Sequence, residues 1–263
     1  MHIDAILEQV YNNSNTFIIP KSWSQGRTTF GGLSAALVYE AIRNKTEPQR
    51  VLRSMTTNFV GPLFTGVEFS IDVKVIREGK STSVVEARLK QDNKDSLVIL
   101  ACFGLPRDSR VRVDADSRIN LRPAKKSKIP FHIPKIMPNF LQHISLDIVE
   151  GGMPYTGQKS SKYSGWMRFK KQPYEINDAH IIALIDAWPP SVLQMVKGIK
   201  PASTLSWNLE FIHPHLKIQP DEWLAYESNT RQAGDGYAHT EANIWNTQGD
   251  LIAISRQVVT IFD

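Results

Sequence analysis

Cysteine is almost absent from the sequence, since Cys102 is the one cysteine in 263 residues. A single cysteine excludes an internal disulfide and a cysteine-based metal cluster, and a chain without a disulfide framework fits a reducing compartment. The N-terminal stretch Met-His-Ile-Asp-Ala-Ile-Leu-Glu lacks the basic start and apolar centre of a secretory signal. No apolar run approaches the roughly 20 residues that a membrane span needs. We therefore expect a cytoplasmic protein without a membrane span.

A strong charge of either sign is also missing. Lys and Arg total 31 against 26 Asp and Glu, a formal net charge of +5 that is spread along the chain. Without a dense basic block, this charge is compatible with an anionic small ligand but is weak support for a nucleic-acid partner. Hydrophobic residues make up 41% of the sequence and charged residues 22%, which is typical of a globular protein with a substantial core.

The common catalytic and metal-binding motifs do not occur. The sequence has no Gly-x-Ser-x-Gly nucleophile elbow, no Walker loop, no Gly-x-Gly-x-x-Gly and no His-Glu-x-x-His. His213 and His215 alternate at the end of a candidate strand, but no carboxylate or cysteine stands at a suitable spacing. Cys102 lies in an apolar strand, a setting that does not activate a thiol. We predict neither a metal nor a cofactor.

What the sequence does contain is a long internal repeat. The stretch Asn58-Phe59-Val60-Gly61-Pro62 corresponds to Glu210-Phe211-Ile212-His213-Pro214, 152 positions later. Two turns recur at an offset of 155, pairing Gly79 with Gly234 and Asp95 with Asp250. A period this long does not indicate a solenoid. It indicates that one whole domain has been duplicated.

Each half predicts one helix and a set of strands. In the first half the helix covers residues 29–44, and alternating or apolar stretches predict strands at 52–60, 67–77, 81–91 and 96–104. In the second half a strand at 163–170 precedes a helix at 177–188, and strands follow at 203–212, 222–231, 236–246 and 250–262. This pattern predicts an α+β fold with two tandem domains, each an antiparallel sheet packed around a central helix.

Residues 106–160 interrupt this plan and are rich in proline. We predict a connector that is strapped across the surface with a short strand or two of its own. It would separate an N-terminal domain of residues 1–105 from a C-terminal domain of residues 161–263. The lysines of its basic stretch, residues 122–128, are expected to form a solvated face; gripping a phosphate is the alternative.

Three side chains of the second half are candidates for chemistry. Asp186 lies in the most hydrophobic part of the predicted helix, where a carboxylate is costly unless it is hydrogen-bonded or lines a pocket; a position on the solvent edge is the alternative. Thr204 begins a strand and would point inward if Phe211 does not share its face. Gln257 lies in an otherwise apolar closing strand, and its counterpart at an offset of 155 is Cys102.

The duplicated helix-on-sheet plan, with Phe30-Gly31-Gly32 opening the first helix, resembles the thioesterase II (TesB-like) acyl-CoA thioesterases, which have a double-hotdog fold. The family carries Phe-Gly-Gly-Gln at this helix, and Leu33 replaces the Gln here. It also carries an Asp on the second helix, a Thr or Ser opening the next strand and a Gln on the last strand. Asp186, Thr204 and Gln257 match these positions in order and in type of element.

The resemblance implies hydrolysis of an acyl-CoA to a carboxylic acid and CoA. Asp186 would act on the water as a general base or as its anchor, and Thr204 and Gln257 would orient that water. Gly31 and Gly32 would let the thioester oxyanion approach the N-terminus of the helix; close helix–sheet packing or a tight turn is the other explanation for these glycines. Leu33 would make the acyl pocket more apolar than the family's Gln does.

Two other functions are open on this fold. One is a hydratase or dehydratase of acyl thioesters, for which the second helix offers only His180 and Asp186, on different faces. The other is a non-catalytic acyl-CoA binder, since a fold alone does not establish activity. Edges of the two sheets could also pair further, which leaves a homo-oligomer open.

Overall fold

The computed structural model describes residues 1–12, 17–115, 119–125 and 137–262. Across these residues the helices are α1 (Ile3–Asn12), α2 (Gly31–Arg43) and α3 (Asp178–Ile185). The strands are β1 (Phe17–Ile18), β2 (Ser24–Gln25), β3 (Thr28–Thr29), β4 (Val51–Phe59), β5 (Glu68–Glu78), β6 (Thr82–Gln91), β7 (Lys94–Gly104), β8 (Ile144–Glu150), β9 (Tyr163–Phe169), β10 (Ala202–Phe211), β11 (Leu224–Gly234), β12 (Tyr237–Trp245) and β13 (Leu251–Ile261). The helix and strands predicted in each half are all present, with small differences at their ends.

Eleven of these strands form one continuous antiparallel sheet in the order β1-β5-β6-β7-β4-β10-β13-β12-β11-β9-β8. The first half of the chain contributes β1-β5-β6-β7-β4, and the second half contributes β10-β13-β12-β11-β9-β8. Counted outward from the central pair β4–β10, the corresponding strands of the two halves therefore follow in the same order. At that pair Asn58 lies opposite Ser206, and Ser54 lies opposite Glu210. The predicted α+β fold of two tandem copies is confirmed.

The helices α2 and α3 lie side by side on the inner face of the sheet. They run antiparallel, because Tyr39 late in α2 donates a hydrogen bond to Asp178 at the start of α3, at 2.9 Å, whereas Gly32 at the start of α2 meets Asp186 just beyond α3. Both helices are buried along almost their whole length, as expected for helices enclosed by a sheet and by each other. In the part of the chain that the structure describes, no helix is long and apolar enough to cross a membrane.

Local chemistry sets both ends of α3. The Asn177 side chain accepts a hydrogen bond from the His180 N–H, and the Asn177 N–H donates to His180 Nδ1, each at 3.3 Å. The helix ends at Ile185 instead of the predicted residue 188, because the prolines at 189 and 190 cannot continue it and disfavour helical backbone just before them. Asp186 is therefore the C-cap residue and not a mid-helix residue.

Helix α1 is an element that the sequence pattern did not predict. This helix packs on α2 and buries Ile3, Ile6 and Leu7. It also reaches the second half of the chain, since its Asp4 carboxylate lies 2.9 Å from His180 Nε2. A residue from each half thus fixes the start of α3.

Part of the predicted connector belongs to the sheet. β8 pairs with β9 at the outer edge, with Ile144 opposite Phe169. Lys125 of the basic stretch is exposed, as predicted. Arg122 in the same stretch forms a bidentate pair with the fully buried carboxylate of Asp147, at 2.7 and 2.9 Å. Such a pair combines charge with fixed geometry and holds this part of the connector against β8. The lysines at 126 and 128 lie outside the described residues, and the domain boundaries stay a prediction.

The structure corrects the counterpart of Gln257. Gln257 pairs with Trp207; the equivalent of Trp207, at an offset of 152, is Met55, and Met55 pairs with Ala101. Cys102 points to the opposite face, because side chains alternate along a strand. The error arose because the turn between β12 and β13 is longer than the two-residue turn between β6 and β7, which moves the offset to 156 on the last strand.

Candidate active site

Asp186 lies where the end of α3 meets the start of α2. Its Oδ1 accepts a hydrogen bond from Gln257 Nε2 at 3.2 Å, and the backbone N–H of Gly32 also donates to the carboxylate. A Cβ atom at Gly32 would lie 2.6 Å from the ring of Phe30 and 2.8 Å from the Asp186 Cβ. A Cβ at Gly31 would lie 3.0 Å from Asp186 Oδ2. The two glycines therefore allow the carboxylate to reach the helix N-terminus.

The surroundings of Asp186 raise the pKa of its carboxyl group. Burial raises the pKa of this carboxyl from 3.8 to about 7, while the hydrogen bonds from Gly32 and Gln257 lower it in part. The residue keeps some accessible surface even though protein atoms surround it. A carboxylate with a pKa near neutrality can accept a proton from water and release it again, which is what a general base must do.

Thr204 points toward the same inner face as Gln257. It pairs with Val259, two residues along β13 from Gln257. Phe211 also faces inward and is buried, although an odd separation along a regular strand would place it on the other face. A bulge at Leu205, between the paired residues Thr204 and Ser206, shifts the alternation of side chains by one residue and so places both Thr204 and Phe211 on the inner face. In the described residues, the Thr204 hydroxyl makes no hydrogen bond to Asp186 or Gln257.

Two aromatic residues near Asp186 were not identified as site residues from the sequence. The ring of Phe59 would lie 3.1 Å from a Cβ at Gly31, and its repetition as Phe211 was the signal that could have identified it. Burial, together with the Asp186 charge, raises the pKa of Tyr226 to about 12. Leu33, the replacement for the family's Gln, is fully buried in the core. The environment of the carboxylate is therefore largely apolar.

A second polar cluster lies at the opposite end of α3. Asp178, His213 and His215 each have a potential ligand atom within 4.8 Å of those of the other two. Asp178 is distant from His213 and His215 along the chain, so the sequence gives no sign of this carboxylate, and only the fold brings it close to them. Carboxylate and imidazole groups are ligands for divalent transition metals.

Comparisons with solved structures agree on the fold. A conserved protein of unknown function with a hot dog fold from Alicyclobacillus acidocaldarius has 21% identity and a TM-score of 0.78, covering 94% of this chain and 92% of the other. The tesB protein of Mycobacterium avium subs paratuberculosis has 16% identity and a TM-score of 0.75, covering 99% and 98%. The acyl-CoA thioesterase II TesB2 of Mycobacterium marinum has 18% identity and a TM-score of 0.65, covering 97% and 96%. No curated protein matches the chain.

These likenesses define the class as a double-hotdog protein, in which two hotdog domains share one sheet. Two family matches then cover most of the sequence: the acyl-CoA thioesterase N-terminal domain over residues 19–104 and the acyl-CoA thioesterase C-terminal domain over residues 115–261. The chain belongs to the acyl-CoA thioesterase family, and it is a thioester hydrolase. The C-terminal match begins inside the predicted connector, in keeping with the pairing of β8.

Proposed function

We propose that this protein hydrolyses an acyl-CoA thioester to a carboxylic acid and CoA, and that Asp186 is the general base. The observation that carries this proposal is the Asp186 carboxylate, which is held by Gln257 at the N-terminus of α2 with a pKa of about 7. Membership of the acyl-CoA thioesterase family supports the reaction. The geometry of the site supports the roles proposed for the individual residues.

The chemistry needs a base and a site for negative charge, but no strong acid. Asp186 removes one proton from a water molecule while the water oxygen attacks the thioester carbonyl carbon. The tetrahedral oxyanion then re-forms the carbonyl, the C–S bond breaks, and the thiolate leaves with its electron pair. A thiol of pKa about 8.5 is a good leaving group at neutral pH. The proton on Asp186 passes to the thiolate or to solvent, which restores the base.

The N-terminus of α2 is the proposed oxyanion site. The first N–H groups of a helix have no partner within it, and the helix dipole favours negative charge there. Because Gly32 already donates to Asp186, we assign the N–H of Gly31 to the oxyanion. Gly31 is partly accessible, as a group that meets substrate must be. Gly32 instead positions the base.

Gln257 and Thr204 have supporting roles. Gln257 fixes the orientation of the Asp186 carboxylate through the 3.2 Å hydrogen bond. Thr204 faces inward on β10, the strand that pairs with the Gln257 strand β13, and this position suits a hydroxyl that holds the attacking water. Apolar residues such as Leu33 and Phe59 favour an acyl chain over a polar group at this end of the helices.

A specific observation favours hydrolysis over hydration of an enoyl thioester. His180 is the one histidine on α3, and it is buried with hydrogen bonds to Asn177 and Asp4. It lies near the start of α3, about 9 Å along the helix from Asp186. His180 is therefore engaged in holding α1 and the helix cap and does not form a catalytic pair with Asp186.

The test is thiol release from acyl-CoAs of several chain lengths by the Asp186→Asn protein. Loss of a general base should lower kcat by about 10²–10⁴-fold, and the wild-type rate should rise with pH through an apparent pKa of about 7. Glu40→Gln is the matched control, because burial also raises the pKa of Glu40, which lies roughly 13 Å along α2 from Gly31. Unchanged release by Asp186→Asn would remove Asp186 from the mechanism.

A further inference from the structure

The cluster at the start of α3 has the chemical make-up of a metal site. Asp178 offers a carboxylate, and His213 and His215 offer imidazole nitrogens, with the three ligand atoms within 4.8 Å of one another. Asp178 is the first residue of α3, and both histidines lie just beyond the end of β10. Two imidazoles and one carboxylate are a ligand set that divalent first-row transition metals use in proteins.

The two histidines present unused ring nitrogens. The Nε2 atoms of His213 and His215 are buried and have no hydrogen-bond partner, although buried polar atoms are normally satisfied. The Nδ1 of His215 lies 3.0 Å from the backbone oxygen of Leu216. A carbonyl oxygen can only accept, so Nδ1 carries the proton and Nε2 carries the lone pair. Metal-binding histidines are commonly fixed in this way by a backbone carbonyl.

The remaining partners of the cluster support the same assignment. His213 is hydrogen-bonded to the backbone of Leu52, which helps to hold its ring in place. The Tyr39 hydroxyl donates to Asp178 Oδ2 at 2.9 Å. This bond orients the carboxylate and leaves its other oxygen available.

The position of the cluster is set by the duplication. Asp178 and Gly31 are the first residues of α3 and α2, and Asp186 and Tyr39 each stand eight residues further on. At one end of the helix pair, Tyr39 of α2 contacts Asp178 at the start of α3. At the other end, Asp186 after α3 contacts the start of α2 in the equivalent way. The cluster therefore occupies the location equivalent to the candidate active site. One copy of a repeated location has kept a base, and the other has acquired a different set of polar groups.

We propose that Asp178, His213 and His215 bind one divalent transition-metal ion, with Zn²⁺ as the preferred ion and water completing the coordination. Zn²⁺ is favoured over Mg²⁺ and Ca²⁺ because two of the three ligands are nitrogens. Tetrahedral coordination with bonds of about 2.0 Å puts ligand atoms roughly 3.3 Å apart, so ligands up to 4.8 Å apart close by about 1.5 Å on binding. The ion then ties the start of α3 to the chain that leaves β10.

One nearby charge opposes a bound cation. Arg53 lies close enough to His213 for its positive charge to act on that residue. Replacing it by a neutral residue should therefore strengthen metal binding, whereas the same change should do nothing if the metal binds elsewhere. Arg53→Gln thus gives a change in the opposite direction from the ligand variants.

The experiment is a calorimetric titration of the metal-free full-length protein with ZnCl₂, repeated with CoCl₂ to read the visible absorption of a coordinated Co²⁺ ion. We expect one ion per chain, binding at least about 100-fold weaker in Asp178→Asn and His215→Gln, and tighter binding in Arg53→Gln. Asp178→Asn keeps an acceptor for Tyr39, and its circular dichroism checks the fold. The control is His239→Gln, because His239 is exposed on β12 and its loss should leave affinity unchanged.

Two results would overturn the proposal. One is an absence of one-to-one Zn²⁺ binding by the wild-type protein at micromolar concentration. The other is wild-type affinity in folded Asp178→Asn and His215→Gln proteins. Weaker binding in His239→Gln as well would count against the assignment, because it would point to adventitious histidine coordination on the surface.

Discussion

The two ends of the antiparallel helix pair occupy equivalent places in the duplicated fold, yet they carry different chemistry. At one end the glycines of α2 leave room for the carboxylate of Asp186, which accepts hydrogen bonds from Gly32 and Gln257. At the other end Asp178 meets the side chain of Tyr39. Room at a helix N-terminus therefore distinguishes the candidate active site from the other end of the helix pair.

The largest effect is expected from filling the space at Gly32. A Cβ there would clash with Phe30 and with Asp186, so Gly32→Ala should lower kcat by more than about 100-fold and cost about 2–4 kcal/mol of unfolding free energy. The equivalent residue of α3, Ala179, is buried and already has a Cβ. The reverse change, Ala179→Gly, should cost only about 1 kcal/mol and keep activity. Chemical denaturation and steady-state kinetics measure both; equal effects would remove the proposed asymmetry.

The next effect concerns stability and pH. Because burial raises the pKa of Asp186 to about 7, the folded protein holds a proton that the unfolded chain releases above about pH 4. Stability should therefore fall as pH rises between these values. Asp186→Asn cannot ionise and should be more stable than the wild type by about 1–3 kcal/mol at pH 8, with little difference at pH 4. Denaturation at the two pH values tests this, and a pH-independent difference would contradict it.

A smaller effect is expected from removing the hydrogen bond of Gln257. Gln257→Ala should lower kcat by about tenfold, the equivalent of one hydrogen bond to a charged group. It should also raise the apparent pKa of the pH–rate profile, since this hydrogen bond lowers the pKa of Asp186. A purely structural role would change activity without moving the profile. Ala101→Gly, at the equivalent position of β7, is the control and should not shift the pKa.

The smallest effect is expected at Cys102. Its side chain faces away from the helices, on the opposite face from Ala101, so Cys102→Ala should change kcat by no more than about twofold. Thiol modification of the wild-type protein should likewise leave hydrolysis intact. Loss of activity in either case would contradict the pairing of Ala101 with Met55, which places Cys102 on the outer face of the sheet.

Much of the fold followed from the sequence because periodicity and turns are local signals. The positions of α2, β4–β7 and β10–β13 were predicted. Asp186 and Gln257 were singled out as candidates, and a hydrogen bond joins them in the structure; their catalytic roles stay a prediction. The orientation of Thr204 relative to Phe211 and the counterpart of Gln257 were not predicted correctly. A bulge and a longer turn each change the alternation of side chains between the two faces of the sheet, and neither leaves a clear mark in the sequence. The cluster of Asp178 with His213 could not be predicted, since only tertiary contact joins residues so far apart.

The central pairing of β4 with β10 has a consequence for the evolution and handling of the chain. These strands hydrogen-bond across the junction of the two halves, so either half alone would present an open strand edge and an uncovered helix. Such an edge recruits another strand. Two separately produced halves, divided within the connector, would therefore recombine through the edges that the intact protein conceals, and a single ancestral copy would have paired with itself along the same line.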